Sequence, residues 1–434
     1  MRPPAPMTAM KPLMMACFLL ASSGFASAMT SGSIEPEPSL RAEQLLPPGL
    51  AITGPNWSVD SPVPIEGFLG QFVLRTQWGA IHVQGSELLL ERIAEIPAMQ
   101  KIDTITRSAV FTDAIVDSAR STTRAVTQVV TQPVETAKGV PAGLGRLLGK
   151  TAAGVRRVAV DIGDAVQRGP ESIPDEDSKS ASDTLMGFAD ELAGVNHARR
   201  TLASALGVDP YTSNPMLREK LGQLARASVA GGFSTDLLLG QLGSTTNEIL
   251  STTQQINSAV WEKAPADIAR ELEARLVQGG IEPRAAREFL RNSSFTPTLQ
   301  LQFVSALEGL GRPAGAADLI GLATGIRGEV HARFLLQQLL MLQGVHAQAP
   351  VSELIVHDAS TSALSAGNTR VFVMPVDHLS WTEVTNLVAD QYEGLHSRII
   401  VSGSVSDLAE QRLRDAGWEV IVNAGIVSIS EHQL

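Results

Sequence analysis

Apolar and polar positions change period along this chain, and the changes divide it into regions. Phe72, Leu74, Ile81 and Val83 alternate on either side of Gln77-Trp78-Gly79, which predicts a β-hairpin over 71–84. The period then lengthens: Leu88, Leu89, Ile93 and Ile96 follow Ser86 at helical spacing, with Ser86 placed to cap and Pro97 placed to kink or restart the helix. From Leu185 to Gln348 short polar or glycine-containing turns separate helical patterns, with Phe334, Leu335, Leu339 and Leu342 on one side of the last. Asn214-Pro215, Ala264-Pro265 and Thr296-Pro297 place proline where helices begin. The loop Gly207 to Pro215 is rich in polar residues that can cap the next helix and brace the turn.

Beyond 349 strand-like runs at 353–357, 370–374, 398–402 and 419–422 alternate with helical runs at 382–392 and 406–416. Only about twelve residues separate the first two strands, which favours an antiparallel hairpin; the later connections are long enough for βαβ units. The fold class expected is mainly helical α+β, with an N-terminal β-hairpin and helices, a central helical bundle and a small C-terminal α/β domain. Residues 29–66, rich in Pro and Ser, read as a tether, and the acidic run at 170–184 as a linker. The regions so delimited are 67–169, 185–348 and 349–434.

Between Val126 and Val166 the apolar positions repeat every eleven residues: Val126, Ala137, Leu148 and Ala159; Val129, Val140, Thr151 and Ile162; Pro133, Leu144, Val155 and Val166. Eleven residues make about three helical turns, so a helix would carry them as a nearly straight seam. Lys138, Arg146, Lys150, Arg156, Arg157 and Arg168 fall on the opposite side. Residues 118–169 hold eight Lys or Arg against three acids, inside a chain of net charge -11. Six glycines and Pro133 and Pro141 make this helix marginal in water, so it needs a surface or a protein body to form. Lys138, Arg146, Leu148, Lys150, Val155, Arg156 and Arg157 are the candidate contacts with an anionic membrane or a protein partner. The run Gln132-Pro133-Val134 through Lys138-Gly139-Val140, Gly143 to Gly149 and Gly154-Val155 resembles the C-terminal amphipathic region of chorein-type lipid-transfer proteins. That resemblance covers about thirty residues and implies membrane association, not lipid transfer.

Composition narrows the classes of function. Aromatic residues make up only 4% of the 434 residues, so stacking platforms for bases or sugars are scarce, and the acidic balance argues against nucleic acid. Arg2 and Lys11, the apolar run Leu13 to Leu20 and Ala26-Ser27-Ala28 read as an export signal cleaved near Ala28, which places the protein in the periplasm or outside the cell. Cys17, the single cysteine, falls within that signal. The mature chain therefore offers no disulfide, no cysteine nucleophile and no thiolate metal site, and nothing in the pattern calls for a metal or cofactor.

Catalytic chemistry finds one place to reside. His357-Asp358, Asp377-His378, Ser402-Gly403-Ser404 and Asn423 follow strand ends, where an α/β domain holds its ligands, and Asp377 and His378 are the first candidates. An antiparallel first strand pair would place His357 and Asp377 at opposite ends of the sheet and disperse the group. Val401-Ser402-Gly403-Ser404 matches neither a nucleophile elbow nor a phosphate loop. The leading expectation is a non-enzymatic, exported binding protein of the cell envelope. A hydrolase using the C-terminal strand ends and a helical assembly scaffold are the alternatives.

Overall fold

The computed structural model describes residues 34–107, 194–230, 258–357, 360–365, 367–392 and 397–422. The expected export signal and the whole basic segment from 118 to 169, with Lys138, Arg146, Leu148, Lys150, Val155, Arg156 and Arg157, lie outside them. The protein is mainly helical α+β and forms two compact units, one of Met1–Gln100, Ala203–Glu219 and Ser244–Leu434, the other of Lys101–Leu202 and Lys220–Gly243.

The first unit opens with a small antiparallel sheet. Its strands are β1 (Ser39–Leu40), β2 (Thr53–Gly54), β3 (Trp57–Val59), β4 (Val63–Glu66), β5 (Leu69–Thr76) and β6 (Gly79–Gln84), with the short helix α1 (Ala42–Leu45) after β1. The predicted hairpin is the β5–β6 pair, with Phe72 opposite Val83 and Leu74 opposite Ile81. Phe72, Leu74 and Val83 are buried, whereas Ile81 is half-buried. Residues 34–66 are not a tether. They supply β1 to β4, because Val59, Val63 and Ile65 bury on the sheet while Pro64 takes an exposed position between them.

Helix α2 (Ser86–Thr106) follows β6 and runs through Pro97 without restarting there. The helix over 194–206 is α3, and α4 is Pro215–Ala230. Asn214 caps α4 as its sequence predicts: its Oδ1 accepts from the Met216 N–H at 3.0 Å. Then come α5 (Ala259–Glu262), α6 (Pro265–Gln278), α7 (Pro283–Leu290), α8 (Pro297–Gly309), α9 (Ala316–Gly325) and α10 (Glu329–Gln348). Proline opens α6, α7 and α8, where its missing N–H is of no consequence. Thr296 caps α8 through the Leu299 N–H. Phe289, Phe295 and Phe303 meet with ring centroids 5.1 to 5.4 Å apart at the centre of these helices.

The last sheet contains β7 (Val351–Val356), β8 (Thr361–Ser365), β9 (Thr369–Met374), β11 (Ser397–Val401) and β13 (Glu419–Ile421), in the order β13-β11-β9-β8-β7. The two-stranded β10 (His378–Leu379) and β12 (Ser404–Val405) pair separately, and helices α11 (Glu383–Gln391) and α12 (Asp407–Asp415) complete the parallel crossovers. The expected hairpin between the first two strands is replaced by a meander. Strand β8 lies between β7 and β9 and is antiparallel to both, so β7 and β9 run the same way. Thr361, Ser362 and Ser365 hid β8 in the sequence, since these buried hydroxyl residues interrupt its apolar pattern. His357, Asp377 and Ser402 consequently follow strand ends on the same side of the sheet, the reverse of what a hairpin would give.

One apolar core passes from α6–α10 into this sheet through Val351, Leu354, Ala363, Val371 and Val373. Gln338 of α10 clamps the junction: its Nε2 donates to the Val373 carbonyl at 3.0 Å and its Oε1 accepts from the Thr361 N–H at 3.1 Å. Gly315, at φ 79°, lets the chain approach β7 so closely that a Cβ there would stand 2.0 Å from the Leu354 carbonyl oxygen. In the second unit Lys220 pairs with Asp103.

Candidate functional site

A cleft of about 630 Å³ lies at the strand ends of the first unit. Its walls come from the α1 loop, the start of α2, the first half of α10, the β9–β10 loop and the Ser402–Ser404 turn. This is where ligand crevices form in α/β sheets.

The loop geometry depends on Gly403, since a Cβ there would meet the Asp377 carbonyl oxygen at 2.2 Å and that of Val376 at 2.5 Å. Tight approach lets the Ser404 N–H donate to the Asp377 carbonyl at 3.1 Å and the Ser402 hydroxyl to the Val376 carbonyl at 2.9 Å. The two turns thus hold each other at the base of the cleft.

Asp377 and His378, adjacent in sequence, do different work. The Asp377 carboxylate accepts from the Gly70 N–H at 2.7 Å, from the Ser86 N–H at 3.1 Å and from the Ser86 hydroxyl. Its own N–H and that of His378 donate to the Phe68 carbonyl. Ser86 therefore gives its hydroxyl to Asp377 rather than to its own helix, and Asp377 caps α2 from almost three hundred residues away. Burial pushes the Asp377 carboxyl up, while the Ser86 and Gly70 donors oppose it. His378 turns its Nδ1 to the Ser404 hydroxyl at 2.8 Å. Burial lowers its pKa, with Glu35 and Glu37 working the other way. His357 shares a hydrogen bond with Ser362 and stacks on Phe372. Asp358 and Asn423 lie outside the described residues.

Helix α2 carries the acids that its apolar pattern concealed. Glu87, Glu91 and Glu95 recur every four residues and share a face, an arrangement that repels itself unless cations intervene. Arg333 of α10 meets Glu91 at 2.7 Å and Glu329 at 2.7 Å. Arg92 contacts Glu91 at 3.0 Å and Glu95 at 3.1 Å. The loop before α4 completes the set: Thr212 and Asn214 donate to Glu95, and Ser213 donates to Glu329 at 2.6 Å. The turn-bracing role expected of this loop thus extends into the interior. Burial works against the charge on Arg333, but Glu91 and Glu329 hold its pKa above the usual arginine range.

Glu87 is the exception on that face. It lines the cleft, and among the described residues no hydrogen bond or ion pair engages its carboxyl. Burial raises that carboxyl to about 7; Arg333 opposes the rise and Glu91 and Asp377 add to it. Sequence reasoning missed Glu87 and Arg333 because it followed the apolar stripe of each helix. The four-residue spacing of 87, 91 and 95 was the available signal.

Phe334 and Val376 line both the cleft and a smaller apolar cavity of about 90 Å³. Among the described residues no three His, Cys, Asp or Glu side chains converge to hold a metal ion, and no helix is long and apolar enough to cross a membrane. Compared with known proteins, the chain matches no family model, no curated relative and no solved structure, and its site is read from geometry.

Proposed function

We propose that this chain is an exported binding protein of the cell envelope. Its folded body captures a small ligand in the strand-end cleft, and its 118–169 segment contacts an anionic membrane or an envelope partner. The observation that carries the first part is the cleft itself: about 630 Å³, mainly apolar walls, and a few converging polar groups set by rigid elements. The basic, eleven-residue repeat supports the second part. Co-sedimentation of residues 29–434 with anionic and neutral vesicles tests the attachment. Salt-sensitive binding to anionic vesicles that is lost in Leu148→Asp/Val155→Asp is expected. Equal sedimentation of the double variant would remove the membrane contact.

One contact favours a second reading, a hydrolase. Ser404 lines the cleft and its hydroxyl lies 2.8 Å from His378 Nδ1, within reach for a base to activate a nucleophile. Hydrolysis of a p-nitrophenyl ester that disappears in both Ser404→Ala and His378→Ala would establish it. Turnover unchanged in either variant would dismiss the pair.

A further inference from the structure

The cleft walls impose a charge requirement on whatever occupies them. Glu43, Glu87 and Asp377 stand there against a single cation, Arg333. Arg333 is committed to Glu91 and Glu329, each at 2.7 Å, so it has little field left for an anion. Asp377 is committed too, with three hydrogen bonds to Gly70 and Ser86. Glu43 sits on the exposed first turn of α1, in water. Glu87 alone lines the cleft half-buried, with a carboxyl that no hydrogen bond or ion pair of the described residues engages.

Holding a carboxylate half out of water against apolar walls without a partner is unfavourable, and a cation supplied by a ligand offsets that. A hard metal ion is a poor fit, since calcium or magnesium takes six or more oxygens and no three acidic or metal-ligating side chains of the described residues converge here. The surroundings are apolar: Leu45, Pro47, Leu88, Val330, Phe334 and Pro375 face the same space. The volume of about 630 Å³ suits one organic molecule of moderate size.

We infer that the cleft binds a small organic cation, an amine with an apolar body, whose ammonium group pairs with Glu87 while its body lies between Val330, Phe334 and Pro375. This assignment rests on the cleft being a ligand site and adds the chemical class of the ligand. An ammonium donor to the Glu87 carboxylate makes a charge-assisted hydrogen bond in a setting where water competes weakly.

Three probes of one shape test it: 2-phenylethylamine, 2-phenylethanol and phenylacetate, titrated by calorimetry and by thermal shift into the purified protein. The amine is expected to bind saturably, the alcohol at least about tenfold more weakly and phenylacetate not at all. Glu87→Gln should weaken the amine about tenfold or more and leave the alcohol unchanged. Val330→Trp, which fills the cleft from α10, should abolish binding of every probe while circular dichroism verifies its fold. If the alcohol or phenylacetate binds as well as the amine, or Glu87→Gln keeps the amine, the cation assignment is overturned and the cleft survives as a ligand site. If no probe binds the wild-type protein at millimolar concentration, or Val330→Trp binds like wild type, the cleft reading falls as well.

Discussion

Asp377 and Glu87 are carboxyls of one cleft, one on the strand-end turn and the other on the first turn of helix α2, and their surroundings treat them in opposite ways. Asp377 takes two backbone N–H groups and a hydroxyl and ties β5 and α2 to the C-terminal sheet. Glu87 receives none of these, although Glu91 and Glu95 on the same helix face are paired with arginines. The difference separates two uses of an acid drawn out of bulk water. Where donors converge from the chain itself, the carboxylate organises the fold; where they are left out beside open space, it is disposed toward a ligand.

The paired side of that comparison breaks most severely at Arg333. Arg333→Met leaves the buried Glu91 with Arg92 alone and the half-buried Glu329 without its nearest cation, and unfolding by urea should show a loss of about 3 kcal/mol. Adding Glu91→Gln to that variant should recover part of the loss, because one of the charges left short of a cation is then removed. A full additive loss in the double variant would show that the network is not a unit.

The turn itself is expected to be somewhat less sensitive. Asp377→Ala strands the buried N–H groups of Gly70 and Ser86 and should cost about 2–3 kcal/mol in the same measurement. Asp377→Asn, which keeps one acceptor oxygen, should fall between the two. Gly403→Ala forces the Ser402–Ser404 turn off Asp377, at about 1–3 kcal/mol. A stability unchanged in Asp377→Ala would mean that Asp377 does not cap α2.

Much of this frame was legible in the chain. The β5–β6 hairpin, the prolines that open α4, α6 and α8 and the caps at Asn214 and Thr296 follow from local chemistry and appear where local chemistry puts them. Strand β8 did not announce itself, because the buried hydroxyl residues Thr361, Ser362 and Ser365 break its apolar alternation, and the Thr361 N–H is met by Gln338 from a distant helix. The cleft was half legible. Asp377, His378 and Ser404 follow strands, so their place at the strand ends could be read. Glu87 and Arg333 lie more than two hundred residues apart, and only the packing of α2 against α10 gives either of them meaning.

The smallest expected effect is also the one that distinguishes the two carboxyls most directly. The Glu87 carboxyl rises from an ordinary 4.5 to about 7 on folding, so between those values the folded chain holds a proton that the unfolded chain has released. Stability must then fall as pH rises through that window, and level off above it. Glu87→Gln cannot lose that proton. The variant should match wild type near pH 4 and exceed it by about 1–2 kcal/mol at pH 8, with a shallower slope between. The slope will not vanish, because Glu95 and Asp209 are pushed up by burial in the same way and keep their share. A saturating amine should erase the advantage at pH 8, since it stabilises the ionised carboxyl of the wild type and finds nothing to pair with in the variant. A Glu87→Gln chain no more stable than wild type at pH 8 would place Glu87 with Asp377, among acids that the fold has already satisfied.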